Sequence, residues 1–233
     1  MVITRRQFVA YVAGATTSGV AGVAFDPGPR GAVSRRWLLV DLQQHCSLRE
    51  SLVGYETALR VQSIRVAGLS LPLSACAGLI VPGALRIPPR VCRAIATCLQ
   101  AGATVLLESG AGFAAGPDVR AHRAMLRGLL DVRTEAPVQL WTAAGHARSG
   151  AMPYIDYAWP SPTKVRDFSR VVPLEREGAG EIIAWVGGLP VALKRRTGGG
   201  GGTLIFLGSP LGPALWAGDA EARRWLFDVT LST

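Results

Sequence analysis

Lysine is almost missing from this chain: Lys164 and Lys194 are the only two, so arginine supplies nearly all of a formal net charge of +9. The basic residues are scattered, with Arg35-Arg36 and Lys194-Arg195-Arg196 among the few tight clusters in the body. Aromatic residues do not interleave with them as a base-stacking platform requires, so no nucleic acid is expected as a partner. A weak attraction to anionic surfaces is what the charge leaves. Histidine is scarce, at three residues, and the four cysteines contain no CxxC spacing. That excludes a zinc set or a disulfide framework, and the sequence calls for no metal and no cofactor. Cys92 and Cys98 stand six apart on one predicted helix, hence on different faces. Cys46 and Cys76 are expected at opposite edges of a sheet, so the reading is four mostly buried thiols. Charged residues make up only 18% of the chain, and beyond the N-terminus no apolar run is long enough to span a bilayer. An apolar share of 49% in 233 residues can build the core of one medium domain.

What the N-terminus does contain is an address. Thr4-Arg5-Arg6-Gln7-Phe8-Val9 fits the twin-arginine pattern, an uncharged apolar run follows from Val9 to Phe25, and Gly22-Val23-Ala24 offers small residues for a signal peptidase. Tyr11 to Ala24 shows no polar face at helical spacing, which argues against a first amphipathic helix. Residues 1–25 are therefore expected to be an export signal read by the twin-arginine machinery. The protein would be delivered to the periplasm or cell envelope, with anchoring by an uncleaved signal as the alternative.

Residues 26–36 form a Pro/Gly/Arg linker. The body, 37–233, alternates short apolar runs with helical stretches. Trp37 to Leu42, Gln62 to Val66, Gly78 to Gly83 and Thr104 to Leu107 predict strands. Ser47 to Arg60 predicts a helix with Ser47 and Glu50 as a capping box, and Pro88-Pro89 opens a helix that runs to Gln100 with Gly102 beyond its end. A further helix is expected over Val119 to Leu130. From 133 to 176 the pattern gives way to loop-rich sequence dense in aromatics and prolines. It resumes with strands at Glu181 to Val186, Val191 to Arg195 and Thr203 to Leu207, and a helix from Ala220 to Leu231. Gly198 to Gly202 lacks the Lys-Ser/Thr of a phosphate-binding loop and reads as a hairpin turn. This alternation predicts a flavodoxin-like, three-layer α/β/α domain with a mostly parallel sheet and one aromatic-rich insertion.

Three segments resemble the class I glutamine amidotransferase-like superfamily: Leu79-Ile80-Val81-Pro82-Gly83, Gln100 to Phe113 with its strand and sharp turn, and Gly202 to Ser209. The resemblance implies a nucleophile elbow after the strand, and a histidine and glutamate after the late strand. Aligned without gaps, Glu108 takes the cysteine position, Leu207 the histidine position and Ser209 the glutamate position. A carboxylate cannot replace a thiolate in acyl transfer, and leucine cannot move a proton. The resemblance thus implies an exported, non-catalytic domain acting as a binding or interaction module.

Sliding the elbow by one residue makes Ser109 a candidate nucleophile, with His45 the best placed base among His45, His122 and His146, and a hydrolase as the alternative function. No third group to orient the imidazole is identified locally. A thiol site at His45-Cys46 is a third option. Ligands of open α/β sheets sit outside the carboxyl ends of the strands. That edge gathers Gln43, Gln44, His45, Gly83, Glu108, Ser109 and Gly110 as candidate ligand-binding residues for a small polar ligand. The stretch from Met152 to Pro160 with Lys164 to Phe168 suits either a carbohydrate or protein contact or an insertion packing its own rings over the sheet.

Overall fold

The computed structural model describes residues 36–42, 46–61, 66–67, 76–140, 154–167, 170–175, 180–198 and 201–232. The twin-arginine segment, the linker up to Arg35, and parts of the 133–176 region lie outside the described residues. In chain order the elements are β1 (Arg36–Leu39), α1 (Arg49–Val61), β2 (Val66–Ala67), β3 (Cys76–Ala84), α2 (Pro89–Gln100) and β4 (Thr104–Ser109). A 3-10 turn (Ala111–Phe113) leads into α3 (Gly116–Leu130), then β5 (Val138–Gln139), β6 (Tyr154–Tyr157), β7 (Thr163–Arg166) and β8 (Arg170–Val171). The chain closes with β9 (Glu181–Val186), β10 (Leu189–Arg196), β11 (Thr203–Leu207), α4 (Gly212–Trp216) and α5 (Ala220–Leu231).

Nine strands form one sheet in the order β2-β1-β3-β4-β11-β10-β9-β6-β7, and β5 pairs with β8 apart from it. From β2 to β11 neighbours run parallel, with Leu79 opposite both Leu38 and Val105, and Leu106 opposite both Ile80 and Ile205. From β11 to β7 every pairing is antiparallel. The α/β class expected from the sequence holds, and the sheet is mixed. Two strands from the expected insertion, β6 and β7, extend its far edge.

Continuous apolar runs make the parallel half because both of its faces are covered. All six residues of β4 are buried. Trp37, Leu39, Ile80, Leu106, Ile205 and Leu207 share one core with Tyr55 and Leu59 of α1, Leu215 of α4 and Trp225 of α5. Leu38, Leu79, Val105, Leu107, Leu204 and Phe206 share the other with Val91 and Ile95 of α2 and Leu126 and Leu130 of α3. Helices therefore lie on both faces. Proline in the first turn starts α2, and Gly102, at a left-handed φ of 82°, follows its end. Asp219 caps α5, its carboxylate accepting from the Glu221 and Ala222 amides at 2.9 and 3.1 Å. Ser47 is not the expected cap of α1: it bridges to Ala84 instead, and its hydroxyl donates to the Leu42 carbonyl. Among the described residues no helix is long and apolar enough to cross a membrane.

Candidate functional site

Strand order reverses between β1 and β3, and at the carboxyl ends of these strands three loops are stitched together by backbone. The Cys46 carbonyl accepts from the Leu85 and Arg86 amides at 2.8 and 3.1 Å. The Gly83 carbonyl accepts from Leu48 at 2.9 Å, and Ala84 from Gly110 at 2.8 Å. Glycine permits this closeness. Gly83 sits at φ +49°, and a Cβ there would stand 2.6 Å from the Ser51 hydroxyl oxygen; one on Gly110 would stand 2.5 Å from the Gly83 carbonyl oxygen.

Glu108, at the end of β4, points into the face covered by α1 and α4. It is fully buried. The Ser51 hydroxyl donates to Oε1 at 2.5 Å and the Gly212 amide donates to Oε2 at 3.0 Å; the Tyr55 hydroxyl, buried without a well-formed hydrogen bond, and the Leu211 backbone act on the carboxyl more weakly. Burial raises its pKa above the ordinary carboxylate range, and these hydrogen bonds only partly offset it. Tyr55 is pushed well up in turn, by burial and then by Glu108. Tyr157 is raised by burial, then by the charges of Glu108 and Asp167. Asp167 is itself buried and accepts from the Ser209 hydroxyl at 3.2 Å. Two buried hydrogen-bonded groups, Ser51–Glu108–Gly212 and Ser209–Asp167, thus act electrostatically on Tyr157.

Ser109, one residue on, points to the opposite face, as strand alternation demands. Its partner among the described residues is His122 of α3: Ser109 Oγ lies 3.0 Å from His122 Nε2, and accepts from the Ala111 amide at 3.2 Å. A hydrogen bond joins the serine hydroxyl and Nε2, its direction set by the imidazole tautomer. Nδ1 makes no well-formed hydrogen bond; only the Leu85 backbone acts on it, and no carboxylate orients the ring. Burial lowers His122 to about 4, so the ring is neutral near pH 7. Serine and imidazole are both sealed from solvent, at 0% and 2% exposure. The pair caps the 3-10 turn.

Of the residues expected at this edge, the structure brings together Gly83, Glu108, Ser109 and Gly110. Gln43, Gln44 and His45 lie outside the described residues, and His45 with them takes the expected thiol pairing with Cys46 out of view. The sequence reading missed Ser51, Tyr55 and Gly212, and ranked His122 behind His45 as a partner for Ser109. Ser51 and Tyr55 carried a signal: spaced i, i+4, they are polar groups on the same helical stripe as Ala58 and Leu59. The aromatic stretch packs inward in part. Ile155 and Tyr157 of β6 are buried, Tyr157 stands 4.5 Å from Trp225, and the Trp225 indole donates to the Trp159 carbonyl at 2.7 Å. Among the described residues no group of three or more His, Cys, Asp or Glu could hold a metal ion.

No protein-family profile matches the chain, and no curated protein matches it. Solved structures do. β-Galactosidase from Bacillus circulans sp. alkalophilus is 15% identical with a TM-score of 0.56, over 84% of this chain and 31% of that one. Exo-β-1,4-mannosidase Op5Man5 from Opitutaceae bacterium strain TAV5 is also 15% identical, with a TM-score of 0.57 over 84% of this chain and 36% of that one. Cytoplasmic Protein STM1381 from Salmonella typhimurium LT2 is 13% identical, with a TM-score of 0.58 over 84% and 98%. This chain spans about a third of the length of the two glycosidases. These neighbours overturn the expected kinship with the class I glutamine amidotransferase-like superfamily, and with it the amidotransferase-like module of the cell envelope. The hydroxyl of Ser109, the nucleophile of the alternative hydrolase reading, is enclosed. The twin-arginine signal lies outside the described residues, and none of these likenesses supports it. At this level of identity, what the chain shares with the glycosidases is a fold.

Proposed function

We propose that this chain is an accessory domain of the glycoside-hydrolase type, serving carbohydrate processing without itself cleaving the glycosidic bond. Its parallel strands run in the order 2-1-3-4-5 when counted along the chain, which is the flavodoxin-type order, and the antiparallel strands are an addition to that body. The likeness to galactosidases and a mannosidase supports the carbohydrate connection, and its limitation to about a third of their length supports an accessory role.

The enclosure of Glu108 carries this reading. Glycoside hydrolysis needs two carboxyl groups facing one another across an open cleft, about 5 Å apart in retaining enzymes and roughly 6.5–9.5 Å in inverting ones. Among the described residues Glu108 and Asp167 are the two buried carboxyls; both oxygens of Glu108 and Oδ1 of Asp167 accept from internal donors. No sugar can reach them. The purified chain, given nitrophenyl β-galactoside and β-mannoside, is expected to release no nitrophenol above the blank. Turnover that disappears in Glu108→Gln or Asp167→Asn would overturn the proposal.

A further inference from the structure

Two of the four cysteines meet although they belong to different elements. Cys76 opens β3 and Cys98 lies in the last turn of α2, and their sulfurs stand 3.6 Å apart. The contact follows from packing: α2 lays Val91, Ile95 and Cys98 into the core that holds Leu79 and Val81 of β3. Cys98 is buried and Cys76 half-buried, so a reagent arriving from solvent meets Cys76 first. Cys46 lies beyond the opposite, carboxyl end of the parallel strands, and Cys92 turns its thiol to the Ile87 carbonyl. A disulfide needs the sulfurs about 2 Å apart. The 3.6 Å contact leaves about 1.6 Å to close.

We propose that Cys76 and Cys98 are a reversible dithiol–disulfide pair, oxidised by a small-molecule disulfide such as oxidised glutathione. The Cys76 thiolate attacks one glutathione sulfur; a Cys76–glutathione bond forms and one glutathione thiolate leaves. Cys98 then attacks Cys76 sulfur, its thiol proton passing to the glutathione sulfur it expels, and the Cys76–Cys98 bond forms. The two cysteines give up two electrons, which reduce the glutathione disulfide, and their two protons end on the two glutathione thiols. Burial, and after it the adjoining Cys76 thiol, pushes Cys98 up to about 12, which keeps it protonated and leaves the opening attack to Cys76. The bond would tie the start of β3 to the end of α2 and so restrain the connection that carries Gly83 and Leu85.

The test uses the full chain incubated with excess oxidised glutathione, quenched with acid and mapped by peptide mass spectrometry. Expected are a Cys76–Cys98 cross-linked peptide lighter by two hydrogens, its reversal by dithiothreitol, and a thermal midpoint higher by about 5 °C in the oxidised protein. In Cys98→Ala the glutathione should remain trapped on Cys76, while Cys92→Ala should cross-link as the parent does. A stable glutathione adduct on Cys76 of the parent without any cross-link overturns the proposal, as do cross-links through Cys46 or Cys92. Should Cys98→Ala fail to fold, Cys76→Ser at the half-buried position replaces it. That variant is expected to leave Cys98 unmodified, and glutathione uptake at Cys98 counts against the assigned order of attack.

Discussion

Glu108 brings a carboxyl to a place that water does not enter, and its neighbours exist in that arrangement because of it. Replacing it with alanine strands the Ser51 hydroxyl and the Gly212 amide without acceptors, since both donate to it now. Buried donors left unpaired cost about 1–3 kcal/mol each, so Glu108→Ala is expected to lose roughly 3 kcal/mol or more in urea unfolding. Glu108→Gln, which keeps one acceptor oxygen, should lose less. His122 yields a prediction in pH. Its folded pKa of about 4 lies below the ordinary 6.5, so its contribution is whole above pH 6.5 and is lost as pH falls through about 4. The loss amounts to about 3 kcal/mol below pH 4. Glu108 acts in the opposite sense, because its raised pKa favours the fold at low pH and opposes it as pH rises. Comparing stability between pH 7 and pH 4 in the parent and in His122→Gln isolates the histidine: the variant should lack most of the acid-side loss.

At the scale of elements, the crossing of α1 and α4 depends on two glycines facing each other. A Cβ on Gly54 would stand 2.2 Å from the Gly212 carbonyl oxygen and 2.8 Å from the Trp216 amide nitrogen, both backbone. Alanine favours a helix over glycine by up to about 1 kcal/mol, but here the two backbones would have to part. Gly54→Ala is expected to lower stability by about 1–3 kcal/mol, read as a lower denaturant midpoint at unchanged slope. The same closeness explains what the sequence disclosed and where it misled. β3, α2, β4 and α5 were legible because apolar runs, prolines and glycines mark them unambiguously. β6 and β7 were not, since Tyr154 to Tyr157 and Thr163 to Arg166 alternate buried and exposed residues amid loop-forming neighbours, and each is only four residues long. α4, five residues opening on Gly-Pro, had too little length for any periodicity. The amidotransferase resemblance rested on strands ending in glycine at Gly83, Gly110 and Gly208. Each glycine is required here by local crowding: a Cβ on Gly208, for instance, would stand 2.1 Å from the Val172 carbonyl oxygen. Such a pattern follows from packing loops over the end of a sheet and does not identify a family. At the site, Glu108, Ser109 and Gly110 could be read from one segment of chain, and Gly83 from the end of another. Ser51, Tyr55 and His122 reach it only through helices folded back onto the strands, so nothing in linear spacing joins them to it.

On the scale of the whole molecule, the last strand of the sheet to be laid down in sequence occupies its middle. β11 pairs with β4 on one side and β10 on the other, with Ile205 opposite both Leu106 and Lys194, although nearly a hundred residues separate β4 from β11. A chain stopped before Thr203 would leave the β4 edge, buried on both faces in the finished domain, without its neighbour. Open apolar strand edges recruit other chains, so such a truncated product is expected to sediment as aggregate, while the chain continued through α5 stays in the supernatant. During translation the same order of events applies at every ribosome. The half-sheet β2-β1-β3-β4 emerges first and must wait for the next hundred residues before its edge is closed. Nascent chains of this protein therefore carry a sticky seam from the completion of β4 until β11 is made, and should be clients of whatever holds young polypeptides apart over that interval.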